Sequence, residues 1–389
     1  MVRVFTWMIS VGVTCGVVIV AAPSGMLNLY SEKPADDTDA ANPFNRAAVM
    51  RRLLCLLLTV LMLGGCVAHV ALPGRSVDRP VETARTFVMP DGTALPYRVW
   101  LPNGPPQAVV LALHGMNDSR DAWEYPAPTL AAAGIAVFSP DLRGFGATPT
   151  RGLWPGANGL AGDARVMARL LRARYPHTKL ILMAESMGAA ALMVLATEPN
   201  PPPVDGYVLV APAVWGRSKM SFLMRASLWL ADHLVPGMTL TGRGFVKVTA
   251  SDNREALYRL SNDPLTIHAT RVDAIEGLVD LMDRAMAAAP YFHAPALFLY
   301  GGHDELVPPR ATAATWRALP KGPVLAFYPH GYHLLLRDKD RSVPLEDILS
   351  WIDDPQAPLP SGADKAAQAW LAHQKQEGVG PTENPAATP

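Results

Sequence analysis

Residues 179–195 read KLILMAESMGAAALMVL, and the interpretation of the whole chain begins there. The apolar start of this stretch is typical of a buried strand, and the alanine-rich run after Ser186 is typical of a helix. A serine at the apex of a sharp turn between strand and helix is the context of a nucleophile elbow. Ala184 and Gly188 are small enough for the strand and helix backbones to pass closely. We therefore predict that Ser186 is a nucleophile, against the alternative that it only caps the helix.

Two later strands run into loops that carry an acid and a histidine. The apolar residues 297–300 lead to Asp304, and Val324–Tyr328 leads to His333. A serine hydroxyl is a poor nucleophile unless a base accepts its proton, and a carboxylate fixes the tautomer of that base. We predict that Ser186 attacks, that His333 acts as general base and then acid, and that Asp304 orients the imidazole.

Several polar neighbours compete for these roles. We interpret His330 as a strand-end residue, His303 as a polar turn residue and Glu305 as a solvated loop carboxylate. Asp338 lies beyond the predicted base, and Glu185 directly precedes the predicted nucleophile. Neither of these two acids is assigned a role.

The segment Ala108–Leu113 reads as a further buried strand, and His114 and Gly115 follow it. The loop after such a strand supplies one backbone N–H of an oxyanion hole, and the residue after the nucleophile supplies the other. This predicts that the amides of Met116 and Met187 stabilise the tetrahedral intermediate. For His114 we expect a structural role, in which it hydrogen-bonds nearby loops.

Taken together, these segments resemble the α/β-hydrolase superfamily, in particular its bacterial lysophospholipase and monoacylglycerol lipase-like branch. The resemblance spans roughly residues 85–352 and implies a mostly parallel eight-stranded sheet with helices on both faces and an inserted helical cap. It also implies that Asp141 holds a loop in place. The matching segments are LALHGMND, FSPDLRGFGAT, ILMAESMGAA, SNDPL at 261–265, LYGGHDELVPP and GYHLLL.

The order of the predicted elements agrees with this fold, because alternating strands and helices indicate a parallel sheet covered on both faces. Residues 213–293 are too long for an ordinary connection, and we interpret them as the cap within a catalytic domain at 85–353. The predicted strands lie near 85–90, 95–101, 108–113, 135–139, 179–184, 206–211, 295–300 and 323–328. The predicted helices lie near 120–133, 161–174, 187–197, 310–319 and 343–353. Apolar cap residues that either form an acyl-chain surface or pack onto the core are Met220, Phe222, Leu223, Met224, Leu228, Trp229 and Leu230.

Composition excludes several other classes of protein. The chain has 389 residues, of which 50% are hydrophobic, and its 34 basic and 34 acidic side chains balance. That balance, without a basic run, argues against a nucleic-acid partner. There is no phosphate-binding or dinucleotide-binding glycine motif and no clustered metal-ligand motif. We therefore expect no cofactor and no metal.

All three cysteines, the last of which is Cys66, precede residue 70. A charged start at Met50 is followed by an apolar run and by Gly64, Gly65 and Cys66, which resembles a bacterial lipobox. This predicts a lipoprotein signal peptide at 50–65, lipidation of Cys66 and a polar tether at 66–84. An ordinary signal peptide or a membrane helix is the alternative. A lipidated chain would be anchored in the bacterial cell envelope, at the periplasmic face of the outer membrane.

The two ends of the chain carry further expectations. A second apolar stretch at 4–22 lies upstream of the predicted signal peptide. We hypothesise that Met50 is the true start and that residues 1–49 are a non-native extension. The segment 354–389 is rich in Pro, Ala and Gln, and we predict that it is a disordered tail.

These observations predict an envelope-anchored serine esterase, and the resemblance implies monoacylglycerols or lysophospholipids as its substrates. A peptidase or amidase of the same fold is the first alternative, and it would need a cap carboxylate to bind a substrate amine. A non-catalytic envelope binding protein is the second alternative, which the complete ordered triad disfavours. Carboxylates that are available in the cap, though none is diagnostic, include Asp232, Asp252, Asp273 and Glu276.

Overall fold

A nine-stranded sheet forms the centre of the protein. The computed structural model describes residues 49–54, 68–241 and 248–376. The strands of the main sheet lie in the order β1-β2-β3-β5-β4-β6-β7-β10-β11, and β8 pairs with β9 in a separate two-stranded sheet. The strands are β1 (Val81–Glu82), β2 (Thr86–Val88), β3 (Ala94–Trp100), β4 (Ala108–Leu113), β5 (Ile135–Pro140), β6 (Lys179–Glu185), β7 (Gly206–Val210), β8 (Thr239–Leu240), β9 (Thr270–Arg271), β10 (Ala296–Gly301) and β11 (Val324–Tyr328).

The predicted parallel sheet is confirmed, with one strand more than the eight expected. From β5 to β11 all neighbouring strands run parallel, whereas β1, β2 and β3 form an antiparallel extension. The additional strand is β1, which pairs Val81 with Val88. Two residues are too few to show the alternation by which a strand is recognised in sequence.

Helices cover both faces of the sheet, and alternate side chains of β4 show why. Val109 and Leu111 belong to one buried cluster, whereas Val110 and Ala112 belong to the other. Because successive side chains of a strand point to opposite faces, an uninterrupted apolar strand requires a core on each side. The helices are α1 (Pro126–Ala132), α2 (Ala157–Arg174), α3 (Met187–Ala196), α4 (Phe222–Leu234), α5 (Arg254–Asn262), α6 (Val272–Ala288), α7 (Pro309–Ala318), α8 (Ser342–Asp353) and α9 (Ala363–Gln376).

The segment predicted as the cap, 213–293, contains α4, α5 and α6 together with the short strands β8 and β9. Helix α6 packs against α3 and α2, so it belongs to the layer that covers the sheet. Leu281 and Ala285 of α6 are fully buried. Helix α4 packs on α6 and leaves much of its apolar surface exposed.

The predicted disordered tail is wrong for residues 354–376, because α9 packs against β11 there. The ring of Trp370 stacks on Phe327 at 4.9 Å, with an interplanar angle of 15°. Trp370 also meets the edge of Trp316 at 5.3 Å, and Ala367 is fully buried. The many Ala and Gln residues suggested disorder, but one face of the helix carries enough apolar surface to dock.

The predictions for residues 1–48, for most of the signal peptide and for Cys66 lie outside the described residues. Within the three described ranges, no helix combines the length and the apolar character needed to cross a membrane.

Candidate active site

Ser186 lies at a tight turn between β6 and α3, as the sequence predicted. Its backbone has φ 52° and ψ −114°, a conformation that a residue with a side chain rarely adopts. The Ser186 amide donates a hydrogen bond to the carbonyl oxygen of Val210 at 3.0 Å. A Cβ atom added at Gly188 would lie 2.7 Å from the carbonyl oxygen of His114. The turn therefore requires glycine at that position, and it holds Ser186 in a strained, outward conformation typical of a nucleophile elbow.

His333 and Asp304 form a buried pair. His333 Nδ1 and Asp304 Oδ2 are 2.8 Å apart, and the two residues are 3% and 5% exposed. The other carboxylate oxygen, Asp304 Oδ1, accepts hydrogen bonds from the amides of Leu306 and Val307 at 2.8 and 2.9 Å. Because an ionised carboxylate can only accept, the proton of the neutral imidazole is on Nδ1. The Nε2 lone pair is then free to accept a proton, as a general base requires.

The electrostatic surroundings favour the protonated form of His333. Burial alone would lower its pKa, but the charge and hydrogen bond of Asp304 and the charge of Glu185 more than offset burial. The pKa of His333 is therefore raised above its ordinary value of 6.5. A base with a raised pKa accepts a proton more readily, provided that the solution is alkaline enough to keep it neutral.

The carboxyl ends of the parallel strands bring the three predicted residues to one edge of the sheet, since Ser186, Asp304 and His333 follow β6, β10 and β11. Ser186 is half-buried there. Among the hydrogen bonds of the described residues, none joins the Ser186 hydroxyl to His333. Catalytic hydrogen bonds are often long without substrate and shorten in the complex. The catalytic roles of the three residues thus remain a prediction.

The two predicted oxyanion donors lie next to Ser186. Met187 is the first residue of α3, where an amide has no partner within its own helix. Met116 lies in the loop after β4, and a Cβ atom added at its neighbour Gly115 would be 3.3 Å from Ser186 Cβ. The next residue, Asn117, has φ 65°, a left-handed conformation that asparagine tolerates better than most residues. Loop and helix terminus thus converge on the serine.

His114 has the structural role predicted for it. Its Nε2 accepts a hydrogen bond from the amide of Leu142 at 3.0 Å, and its Nδ1 is 2.7 Å from the carbonyl oxygen of Gly115. Both ring nitrogens are therefore occupied. Burial lowers the pKa of this fully buried imidazole. It is a neutral bridge between two loops, not a second base.

Asp141 also holds a loop, in agreement with the resemblance. Its carboxylate accepts hydrogen bonds from the amides of Arg120 and Ala147 at 2.7 and 2.8 Å. The Arg120 guanidinium pairs with the same carboxylate at 2.5 Å. The carboxylate therefore ties the loop after β5 to the segment that begins at Arg120.

The competing residues lie away from the buried pair or are otherwise engaged. His303 and His330 are exposed, with ring centroids 5.9 Å apart. Glu305 is exposed and accepts a hydrogen bond from the amide of Thr249. Asp338 is buried, where it accepts hydrogen bonds from the Ser251 hydroxyl at 2.6 Å and the Tyr332 amide at 2.8 Å.

Arg337 belongs to the site although no pattern in the sequence predicts it. This side chain is buried beside the site, where it pairs with Asp118 and lies 3.4 Å from Glu185. The only local signal is that it follows the predicted base by four residues. An arginine in a loop is usually solvated, so its burial between two acids is visible only in three dimensions.

The apolar residues of the predicted cap differ in their exposure to solvent. Met224 and Leu228 are buried, whereas the neighbouring Phe222 is 77% exposed and Trp229 is 57% exposed. Leu223 and Leu230 are exposed as well, and Met220 packs partly buried against the core.

Of the four cap carboxylates considered for binding an amine, three have a bonding partner. Asp273 pairs with Arg271, and Glu276 pairs with Arg217. Asp252 accepts a hydrogen bond from the amide of Lys339. Asp232 is half-buried, and burial raises its pKa.

Comparison with known proteins identifies a matching family and several relatives of the chain. Residues 104–340 match the family described as "Serine aminopeptidase, S33". The monoacylglycerol lipase of Mycolicibacterium smegmatis is 25% identical over 277 residues, which cover 70% of this chain and 97% of that protein. The monoglyceride lipase of Rattus norvegicus is 26% identical over 286 residues, which cover 70% of this chain and 91% of that protein.

The fold is shared with a solved structure at lower identity. A soluble variant of monoglyceride lipase from Saccharomyces cerevisiae, in complex with a substrate analog, aligns with a TM-score of 0.58 and 18% identity. The alignment covers 73% of this chain and 98% of that one. With the sheet order and the match over more than half of the chain, this similarity confirms the expected fold. The chain belongs to the serine aminopeptidase S33 family and has the fold of an α/β-hydrolase.

Proposed function

We propose that the protein is a serine hydrolase that cleaves carboxylic esters through an acyl-enzyme on Ser186. The observation that carries this proposal is the buried hydrogen bond between His333 and Asp304. The imidazole–carboxylate pair is almost closed to solvent, and it lies at the same edge of the sheet as the strained Ser186. It accepts the serine proton and stabilises the resulting imidazolium.

The reaction proceeds in two stages. Ser186 Oγ attacks the ester carbonyl while His333 Nε2 accepts the hydroxyl proton, and the amides of Met116 and Met187 stabilise the oxyanion. The C–O bond to the alcohol then breaks, and the imidazolium returns its proton to the leaving oxygen. Water, deprotonated by the same imidazole, attacks the acyl-enzyme, and the fatty acid leaves as Ser186 regains its proton.

Monoacylglycerols or lysophospholipids are the proposed substrates. The names of the Mycolicibacterium and rat relatives support a monoacylglycerol ester, and both relatives are covered almost over their full length. The exposed apolar residues of α4, such as Phe222 and Trp229, are compatible with contact to an acyl chain or its lipid surroundings. Lipidation of Cys66 would anchor the enzyme at an envelope membrane, in keeping with a lipid substrate.

A release assay on the full-length protein tests the proposal. Its substrates are p-nitrophenyl esters of several chain lengths, a monoacylglycerol, a lysophospholipid and an aminoacyl amide. We expect fatty-acid release from one of the single-chain lipids at a higher kcat/KM than for the amide. Faster cleavage of the amide would contradict the ester proposal.

The amide arm is included because the family description names an aminopeptidase. A peptidase needs a carboxylate to bind the substrate amine, and of the four cap acids named above Asp252, Asp273 and Glu276 already have partners. Asp232 is then the first candidate to receive an amine. If the amide is preferred, Asp232→Asn identifies whether this carboxylate binds it, through a rise in KM.

A further inference from the structure

A single buried guanidinium connects three loops of the candidate site. Arg337 is 4% exposed and follows His333 by four residues. Its Nη2 donates to Asp118 Oδ2 and lies 3.4 Å from Glu185 Oε1. Asp118 is two residues after Met116, and Glu185 directly precedes Ser186. The loop after β4, residues 114–118, is called the oxyanion loop because it carries Met116. The guanidinium therefore joins the oxyanion loop, the elbow and the loop of the predicted base.

The oxyanion loop is held on its other side by the segment that ends at β9. The amide of Ile267 donates to the carbonyl oxygen of Asn117 at 2.8 Å, and Asn117 Nδ2 donates to the Thr270 hydroxyl at 2.6 Å. These bonds leave the inner end of the loop, at Asp118, to be held by Arg337. Because Asn117 already adopts a left-handed conformation, the loop needs such external contacts to keep its shape.

Asp118, Glu185 and Arg337 form a buried charge cluster, and its charges show why a cation is needed. Asp118 and Glu185 are both buried, at 6% and 4% exposure, and two buried carboxylates repel each other. Burial raises the pKa of Glu185. Burial alone would lower the pKa of Arg337, but its two acidic neighbours raise it, so the guanidinium stays charged. Without it, the oxyanion loop and the elbow would move apart or take up water between the acids.

We propose that Arg337 is a positioning residue for catalysis, which sets the Met116 amide relative to Ser186 through its bond to Asp118. Within the described residues, its side-chain hydrogen bonds go to Asp118 and Glu185, so it would act on the site through these two acids. This inference rests on the proposed function, in which the Met116 amide stabilises the oxyanion. A lysine is not an equivalent replacement, because both acids are contacted by Nη2, which lies one bond farther from Cα than a lysine ammonium does.

The test compares Arg337→Lys with a matched control, Arg143→Lys. Arg143 is an equally buried arginine between two acids, with bonds of 2.7 Å to Asp91 and 2.8 Å to Asp163. Two measurements are made on each full-length variant. The first is the rate at which a fluorophosphonate labels Ser186, and the second is kcat and KM for p-nitrophenyl acetate. Circular dichroism determines whether each variant is folded.

We expect Arg337→Lys to slow labelling and lower kcat by about 100-fold with little change in KM, the scale for a displacement of about 1 Å at a reacting centre. Asp118→Asn should show a similar loss, and the double variant should lose little more than either single one, since both act through one contact. Arg143→Lys should lose thermal stability but label at the wild-type rate.

Wild-type labelling by folded Arg337→Lys overturns the inference, as does an equal loss in Arg143→Lys. If Arg337→Lys does not fold, Asp118→Asn decides by the same measurements. The substrate proposal is judged separately. A wild-type protein that is labelled on Ser186 but releases no fatty acid from monoacylglycerol or lysophospholipid contradicts the substrate class and leaves the labelling comparison intact.

Discussion

His333 Nδ1 and Asp304 Oδ2 are joined by a 2.8 Å hydrogen bond within a region almost closed to solvent. The same carboxylate is fixed by two backbone amides, so its orientation does not depend on the histidine. The imidazole is therefore positioned by a rigid partner, which is what a base needs if it is to face a serine in one tautomer.

The raised pKa of His333 predicts the acid limb of the pH–rate profile. Only the neutral imidazole accepts the serine proton, so activity is lost as the pH falls through this pKa. We expect the midpoint of the acid limb of kcat/KM to lie at a pH above 6.5, the ordinary pKa of histidine. The measurement is kcat/KM for a p-nitrophenyl ester over a range of pH.

Asp304→Asn is the control for the pH profile. Loss of the carboxylate charge should move the acid limb to lower pH and reduce kcat by about 10,000-fold, the scale for a triad carboxylate. An acid limb that stays in place in this variant would show that another group controls it.

Substitutions in the predicted triad should abolish turnover. Ser186→Ala and His333→Ala should each lower kcat by about a millionfold, because the members of a triad act as one unit. His330→Ala is the matched control, and it should retain most of its activity because His330 is exposed. Initial rates of ester hydrolysis decide the matter, and a crippled His330→Ala beside an active His333→Ala would reassign the base.

Gly188→Ala should destabilise the elbow. The new methyl group would lie 2.7 Å from the His114 carbonyl oxygen and 3.0 Å from that of Leu113, so a backbone must shift. We expect a loss of about 1–3 kcal/mol in the free energy of unfolding, as for other overpacked sites, together with reduced kcat. Urea unfolding and ester hydrolysis measure the two effects.

Gly162→Ala is the contrasting variant. Gly162 lies within α2, and a Cβ atom there would meet nothing within 4 Å. Alanine should therefore stabilise the protein by about 0.5–1 kcal/mol. Equal behaviour of the two alanine variants would contradict the steric explanation.

Trp370→Ala should weaken the docking of α9. The indole stacks on Phe327 and meets Trp316, so its removal should cost about 2 kcal/mol in the free energy of unfolding. Trp370→Phe keeps an aromatic ring there and should recover most of the loss. An unchanged urea midpoint in Trp370→Ala would mean that the contacts of this indole contribute nothing to the stability of the domain.

Local patterns were sufficient to predict most of the fold. Continuous apolar runs such as Ala108–Leu113 identify strands buried on both faces, and small residues around Ser186 identify the elbow, because both requirements apply to neighbours along the chain. The role of His114 was also predictable, since an oxyanion loop needs a partner nearby.

Arg337 and α9 were not predictable in the same way. Whether Arg337 is solvated or buried depends on Asp118 and Glu185, which lie 219 and 152 residues away along the chain. Likewise, Trp370 stabilises a helix only because β11 presents Phe327 to it. Residue order along the chain therefore sufficed for eight of the nine strands of the main sheet and for the elbow, and it supports a hypothesis about the triad. The buried charge cluster and the docked tail arise from contacts between distant segments, because burial and pairing of a side chain depend on what folding brings against it.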